Sequence, residues 1–411
     1  MKKIIVVGGG AAGMMSAIQA AENGAKVILL EKTNRVGKKL SITGKGRCNI
    51  TNFSDVDEII KNIPGNGKFL NSVLKNFDSN DVIKFFESLG VKTKIERGNR
   101  VFPQSDSAKE VVDALINKMI SLDVDIKLNT KAEKIIVENK KVVGVEFDKK
   151  IEKADSVILT TGGASYPATG STGDGFKMAK DLGHTITKIL PALVPIETEE
   201  NFVKDLQGLS LKNVKVKLIA ENKKIAEEFG EMLFTHFGVS GPIILTLSRK
   251  ISFLLDEGKF VELSINLKPA LTPEQVAARV LRDFEKFKRK SIKNALVELL
   301  PNALISVILD LSFIDEEKHI DSITQAERKR LTETLRDFRL TVAKTRPIEE
   351  AIVTVGGVSV KEVNPKTMES KIIKNLYFAG EILDIDGFTG GFNLQTAFST
   401  GYAAGNFCSS F

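Results

Sequence analysis

The run Ile4-Ile5-Val6-Val7 ends abruptly in Gly8-Gly9-Gly10, and this junction constrains the fold more than any other feature of the chain. Successive side chains of a strand point to opposite faces, so four apolar residues in a row require burial on both faces, as at the centre of a parallel sheet. Beyond the glycines, Met14, Ala17, Ile18 and Ala21 recur at helical spacing. Gly24 is placed to stop that helix, and Val27-Ile28-Leu29-Leu30 supplies a second buried strand. The expected unit is strand, helix and parallel strand.

Gly8, Gly10 and Gly13 form G-x-G-x-x-G at the strand-to-helix turn. In that pattern the first glycine turns the chain, the second admits a pyrophosphate and the third lets helix and strand pack closely. The free N–H groups at the helix start then face the anion. Glu31 closes the second strand, near the spacing of an acid that accepts hydrogen bonds from an adenosine ribose and would repel a 2′-phosphate. A lone G-x-G-x-x-G is weak, because glycines also gather in ordinary turns. With the strands, helix and acid around it, the pattern indicates a dinucleotide, without separating FAD from NAD.

At 411 residues the chain exceeds the size at which one core keeps growing, so two or three domains are expected. Helical periodicity covers Asn80 to Leu89 and Ser107 to Ile120, and short strands are expected at Lys134 to Val137, Val142 to Phe147 and Ser156 to Leu159. Past about Pro191, alternation in Val214 to Leu218 and Val261 to Ile265 suggests an antiparallel sheet with one wet face. Thr272-Pro273-Glu274-Gln275 and Thr324 with Glu327 read as helix starts with capping boxes. The stretch from Thr272 to about Arg339 is therefore helical, before strand and glycine-loop texture returns from Ala351 to Gly380.

Composition excludes several classes. With 42% hydrophobic and 27% charged residues the chain is not a disordered one. Two cysteines, Cys48 and Cys408, are too few for a disulfide framework, and with three scattered histidines they show no metal-ligand spacing, so no metal and a reducing cytoplasm are expected. The apolar start is broken by glycines, and Leu299 to Phe313 is too short and polar to span a bilayer, so no membrane is expected. The net charge of +7 could favour nucleic acid, but the basic run Lys286 to Lys293 has little aromatic interleaving and reads as a solvated helix face. No nucleic-acid partner is expected.

Three further segments carry chemistry. Ser41 to Asn49 places Lys45 and Arg47 in a glycine-rich loop that can approach an anion, or that is a surface turn with solvated charges. Gly380-Glu381 ends a strand, and Gly390-Gly391-Phe392-Asn393 opens a helix whose N-terminus would stabilise negative charge on a reduced flavin. No hydrolase triad, G-x-S-x-G or Walker loop is visible.

Gly8 to Gly13 with Glu31, Gly44 to Asn52, Thr161 to Gly175, Leu233 to Pro242 and Gly380 to Asn393 together resemble the BaiN-like family of bacterial flavoproteins, which includes bile-acid enone reductases and aminoacetone oxidase. The resemblance covers nearly the whole chain. It implies an α/β fold, a Rossmann-like FAD-binding domain split by an inserted β-rich domain and a helical subdomain. The implied order is residues 1–190 for the first part of the FAD domain, 191–271 for the first part of the β-rich substrate domain, 272–340 for the helical insertion, 341–359 for the return of the β-rich domain and 360–411 for the rest of the FAD domain. On that analogy Gly8, Gly10, Ala11, Ala12 and Gly13 contact the diphosphate of FAD and Glu31 the ribose, with Lys32 also at the cofactor. Gly44, Arg47, Cys48, Asn49, Gly380, Glu381, Asp384, Gly391, Phe392, Asn393 and Leu394 lie along the rest of the cofactor. Many flavoproteins of this fold carry Asp where this chain has Glu381.

Three residues are candidates for catalysis. His236 can donate a proton near neutral pH, Arg100 can hold a carboxylate and Tyr166 can donate to a carbonyl. Each has a structural alternative: a histidine satisfied by backbone, a surface ion pair and packing on Pro167. The expected function is reduction of an activated C=C bond of a small organic molecule, with NADH or NADPH as transient electron donor. The competing readings are an oxidase of a small amine or amino ketone that releases hydrogen peroxide, and a non-catalytic flavin-binding regulatory protein. The oligomeric state is not readable.

Overall fold

In the computed structural model, which describes residues 1–409, the apolar run at the start of the chain occupies the middle of a five-stranded parallel sheet. Strand β1 (Lys3–Val7) is flanked by β2 (Lys26–Leu30) and by Ser156–Leu159, with Asp125–Lys127 and Leu376–Phe378 outside them. Ile4, Ile5 and Val6 have no exposed surface. The double burial inferred from four consecutive apolar residues is thus met: helix Ala11–Glu22 packs on β1 and β2, and the antiparallel strand Lys141–Phe147 packs on the neighbouring strand Ser156–Leu159.

Helix α1 (Ala11–Glu22) follows the glycine turn and is buried almost all round. It lies against the closing helix Phe392–Ser409, where Ser16 Oγ donates to Gly401 O at 3.0 Å. A Cβ at Gly401 would stand 2.5 Å from Ala12 O and one at Gly405 2.5 Å from Ser16 O, so two glycines one turn apart permit this backbone approach. The expected helices appear as Ser79–Ser88, capped by Asp78, and Ala108–Ser121.

The segment read as a loop from Ser41 to Asn49 differs. Residues Lys38–Gly46 run in helical turns that break at Thr43, and Gly44 and Lys45 then take left-handed conformations with φ of 57° and 60°. Three short strands, Thr51–Asn52, Arg100–Pro103 and Thr93–Glu96, form a small antiparallel sheet nearby in sequence.

The chain divides into two compact units, residues 1–190 with 348–411, and residues 191–347. The second is built on a closed six-stranded antiparallel barrel, in the order Ile196–Thr198, Gly238–Ser240, Lys223–Thr235, Ser210–Ala220, Val261–Asn266 and Phe338–Thr345. The alternation suggested a sheet with one wet face; closure turns the apolar face inward, with Val216, Leu218, Leu263 and Ile265 fully buried. Helices Pro273–Lys286, Asn302–Leu311 and Gln325–Arg336 share one hydrophobic core with the barrel through Val276, Leu304, Leu331 and Phe338. Both capping boxes form as read. The basic run is no single helix face: the helix ends at Lys286, which pairs with Glu298 at 2.6 Å, while Lys293 pairs with Glu316 at 2.8 Å.

Candidate functional site

The glycine turn opens onto a cleft in the first unit with about 1380 Å³ of empty space including its mouth. Its wall is assembled from segments far apart in sequence: the turn and start of α1, the end of β2, residues 37–43, residues 130–132, 160–178, 352–353 and 379–397.

The three glycines divide their work. Gly8 has φ of +109°, and a Cβ there would stand 2.6 Å from Thr160 O. Thr160 Oγ1 in turn donates to Val7 O and Gly8 O at 3.0 and 2.9 Å, which fixes the turn to the neighbouring strand. At Gly13 a Cβ would overlap Gly8 O at 1.9 Å, so this position serves the packing of α1 on the turn. Gly10 is different. Nothing lies within 4 Å of a Cβ built there, and the residue lines the cleft. Beside it, the first N–H groups of α1 have no intrahelical acceptor, and no acidic side chain sits in that first turn. That is an anion cradle of the kind a diphosphate fills. Ala11 and Ala12 line it; Gly13 does not.

Glu31 is only 8% exposed and lines the cleft. Its Oε2 accepts from Gly9 N at 2.9 Å and its Oε1 from Thr33 N at 2.8 Å, so the carboxylate is oriented by backbone and keeps further lone pairs for a ribose hydroxyl. Lys32 also lines the cleft, with its ammonium on Asp174 Oδ2 at 2.8 Å and on Thr172. Burial opposes ionisation of Asp174, yet Lys32 and Lys131 hold its carboxyl below the usual range.

On the opposite stretch of wall, Gly380 has φ of +77°, and a Cβ there would meet Ala12 Cβ at 2.8 Å. Glu381 follows it in the lining. Its Oε1 accepts from Thr354 N at 2.9 Å and Ser165 Oγ at 3.2 Å, and its Oε2 accepts from Lys39 Nζ at 2.7 Å. Asn393 and Leu394 line the cleft in the first turn of the closing helix, whose early N–H groups point outward as those of α1 do. Asn393 uses its side chain to hold the preceding loop through Gly387 N and O, both at 2.8 Å.

Other candidates lie outside this lining. Gly44 packs on Asn49 and Phe102. Arg47 stacks on Phe102 at 4.0 Å and is ion-paired with Glu96 and Asp106. Its hydrogen bond holds the Glu96 carboxyl low, and Lys94 followed by Arg47 does the same to Asp106. Cys48 is fully buried at φ of 60°, and burial pushes its thiol up to about 12. Asn49 Oδ1 is buried with no hydrogen-bond partner among the described residues. Gly391, at φ of +101°, and buried Phe392 support the closing-helix start, a Cβ at Gly391 meeting Thr51 O at 2.4 Å. Asp384 is tied through its carbonyl to Asn66 Nδ2 at 2.7 Å.

Of the catalytic candidates, Arg100 is exposed and donates through Nε to Arg97 O at 3.0 Å. Tyr166 takes a left-handed conformation, φ of 54°, with its ring 6.0 Å from Lys39 Nζ. His236 belongs to the second unit, exposed at the hairpin tip between Lys223–Thr235 and Gly238–Ser240, its ring on Phe237 at 4.9 Å. Arg346 also stacks on Phe237, at 4.7 Å. Sequence reasoning missed Lys39, Thr160, Ser165 and Thr354. Nothing local separates Lys39 from its neighbour Lys38, and the others are single hydroxyls whose partners are distant in sequence. Among the described residues no group of three or more His, Cys, Asp or Glu could hold a metal ion, and no helix is long and apolar enough to cross a membrane.

Residues 2–407 match the family model described as the HI0933-like protein Rossmann domain. The chain is 34% identical over 408 residues to a 3-dehydro-bile acid delta(4,6)-reductase of Clostridium scindens, covering 98% of both chains. It is 30% identical to a ribosomal RNA dihydrouridine synthase of Escherichia coli, covering 97% of this chain and 96% of the other. Among solved structures it is similar in fold to a 3-ketosteroid-delta4-(5alpha)-dehydrogenase from Rhodococcus jostii RHA1, with a TM-score of 0.55 at 14% identity over 100% of this chain and 97% of that one.

Proposed function

The chain belongs to the HI0933-like Rossmann-domain family of FAD-dependent oxidoreductases, and from that premise we propose that it reduces a C=C bond conjugated to a carbonyl, with electrons drawn from NADH or NADPH. The observation that carries this reading is the cleft, which runs from the anion cradle at Gly10 and the acid Glu31 to the N-terminus of the closing helix at Asn393. Bound FAD would supply a two-electron hydride carrier there.

The chain's own part follows from the geometry. The open space at Gly10 and the free N–H groups of α1 receive the diphosphate, and Glu31, held by Gly9 and Thr33, accepts from the ribose. The closing helix offers its positive end to charge that develops on the reduced ring. Saturating a conjugated C=C bond adds hydride to the β-carbon and a proton to the α-carbon, and charge passes through the carbonyl oxygen. That oxygen needs a donor, for which the hydroxyl of Tyr166 is our candidate. Arg100 is our candidate for a substrate carboxylate. The substrate in this reading is a small organic enone. Two unpaired thiols suit a reducing cytoplasm, where we place the enzyme.

A second reading has specific support. Two relatives matched over nearly their whole length are named for ribosomal RNA, and uracil carries the same conjugated C=C–C=O unit as an enone. The net charge of +7 suits a polyanion. Anaerobic mixing with NADH and NADPH tests the reductase, and failure of both to bleach the flavin sinks it. Reoxidation of the bleached enzyme by a steroid enone supports the first reading, new dihydrouridine in added RNA the second, and peroxide formed from an amine in air the oxidase.

A further inference from the structure

Lys39 pairs its ammonium with the acid Glu381 in the wall of the cleft. It lies two residues beyond Gly37, whose N–H donates to Gly9 O at 2.8 Å, so its backbone is tied to the glycine turn itself. Its Nζ contacts Glu381 Oε2 at 2.7 Å and Ser165 Oγ at 2.6 Å. Ser165 is fully buried, and Thr354 holds it from behind, accepting from Ser165 N at 3.1 Å and Ala164 N at 2.8 Å. Lys39 and Glu381 are each little more than one-fifth exposed, and both face the cleft.

The electrostatic difficulty is plain. Gly380 abuts Ala12 in the first turn of α1, so the next residue places a carboxylate in the wall of the cleft that receives a diphosphate. Like charges in one partly desolvated wall repel. Of the other cations of the lining, Lys32 and Lys131 are engaged with Asp174, and Lys38 forms no ion pair with Glu381 among the described residues. We propose that Lys39 is a positioning residue for the cofactor: by neutralising and orienting Glu381 it lets that carboxylate stand beside the diphosphate and turn its remaining lone pairs to the cofactor's hydroxyls. This rests on the FAD reading above, and it assigns Lys39 a role through Glu381 and not through the phosphates.

Titration of apoprotein with FAD, followed by flavin fluorescence, tests it. In Lys39→Met the unpaired Glu381 should weaken binding by about tenfold or more, while Lys39→Arg stays within about threefold of wild type. Glu381→Gln in the same background removes the repelling charge, so K39M/E381Q should bind several-fold more tightly than K39M. Added salt should narrow the K39M defect by screening the repulsion. The proposal is overturned if K39M binds as wild type does, or if the double variant is as weak as K39M, which would make Lys39 a direct phosphate ligand. Should K39M fail to fold, K39Q and K39Q/E381Q carry the same comparison. Wild-type protein that does not bind FAD at all overturns the cofactor reading and this inference with it.

Discussion

Glu31 and Gly9 are joined across the mouth of the glycine turn, the Gly9 N–H donating to Oε2 at 2.9 Å while Thr33 N–H occupies Oε1 at 2.8 Å. The acid therefore shapes the turn as well as offering a contact to a ribose. In Glu31→Gln only one oxygen remains for two backbone donors, and one N–H is left facing an amide NH₂. We expect a loss of about 1–3 kcal/mol in stability and an FAD affinity lower by about tenfold or more. Thermal melts and FAD titration check both, and an E31Q protein that melts and binds like wild type would remove Glu31 from this role.

The glycines at 10 and 13 should respond in opposite ways to the same added methyl group. Gly13→Ala drives a Cβ into Gly8 O, at 1.9 Å, where only backbone can yield, so a stability loss of about 1–3 kcal/mol is expected. Gly10 has φ of −81°, and nothing lies near its Cβ position, so Gly10→Ala should leave the apoprotein within about 0.5 kcal/mol of wild type. Its methyl projects into space the diphosphate needs, and FAD binding should fall. Equal melting losses in the two variants would contradict this division.

In the second unit, Glu327 closes the capping box of helix Gln325–Arg336 and pairs with Lys318 at 2.7 Å. Lys318 first, then the backbone and hydroxyl of Thr324, pull its carboxyl down from the ordinary 4.5 to about 2. Because the folded value lies below the unfolded one, the contribution is fully present above about 4.5 and is lost as pH falls through about 2. Glu327→Gln keeps a capping side chain and removes only the charge. Its melting temperature should fall below wild type at pH 7 and converge with it near pH 2, and a constant gap across that range would refute the charge effect.

Cys48 and Cys408 are both unpaired and buried, and burial raises both thiols, Cys48 to about 12 and Cys408 further. The thiolate is the reactive form, so neither should react with a disulfide reagent in native protein at pH 8. Two should react after denaturation. Rapid labelling of Cys48 in the native state would show that the segment around it opens.

Much of the scaffold was legible in the sequence because its signals are local. The burial of β1 follows from four adjacent apolar residues, α1 from contacts one turn apart, and the capping boxes at Thr272 and Thr324 from pairs three residues apart. Closure of the barrel was not legible, since an inward face and a one-sided sheet share the same period of two. Arg47 was read as a cation beside an anion, but its direction depends on Glu96 and Asp106, which no spacing relates to it.

By itself, then, the sequence determined the glycine turn, the helix that opens from it and the acid that closes the second strand, because each is set by neighbours within a turn or a strand. Only the tertiary structure decided which charges meet in the cleft. Lys39 and Glu381 stand 342 residues apart and come together because Gly37 is pinned to Gly9 while Gly380 packs on Ala12. A contact of that kind is made by the packing of two distant segments on one helix start, and no periodicity in either segment records it.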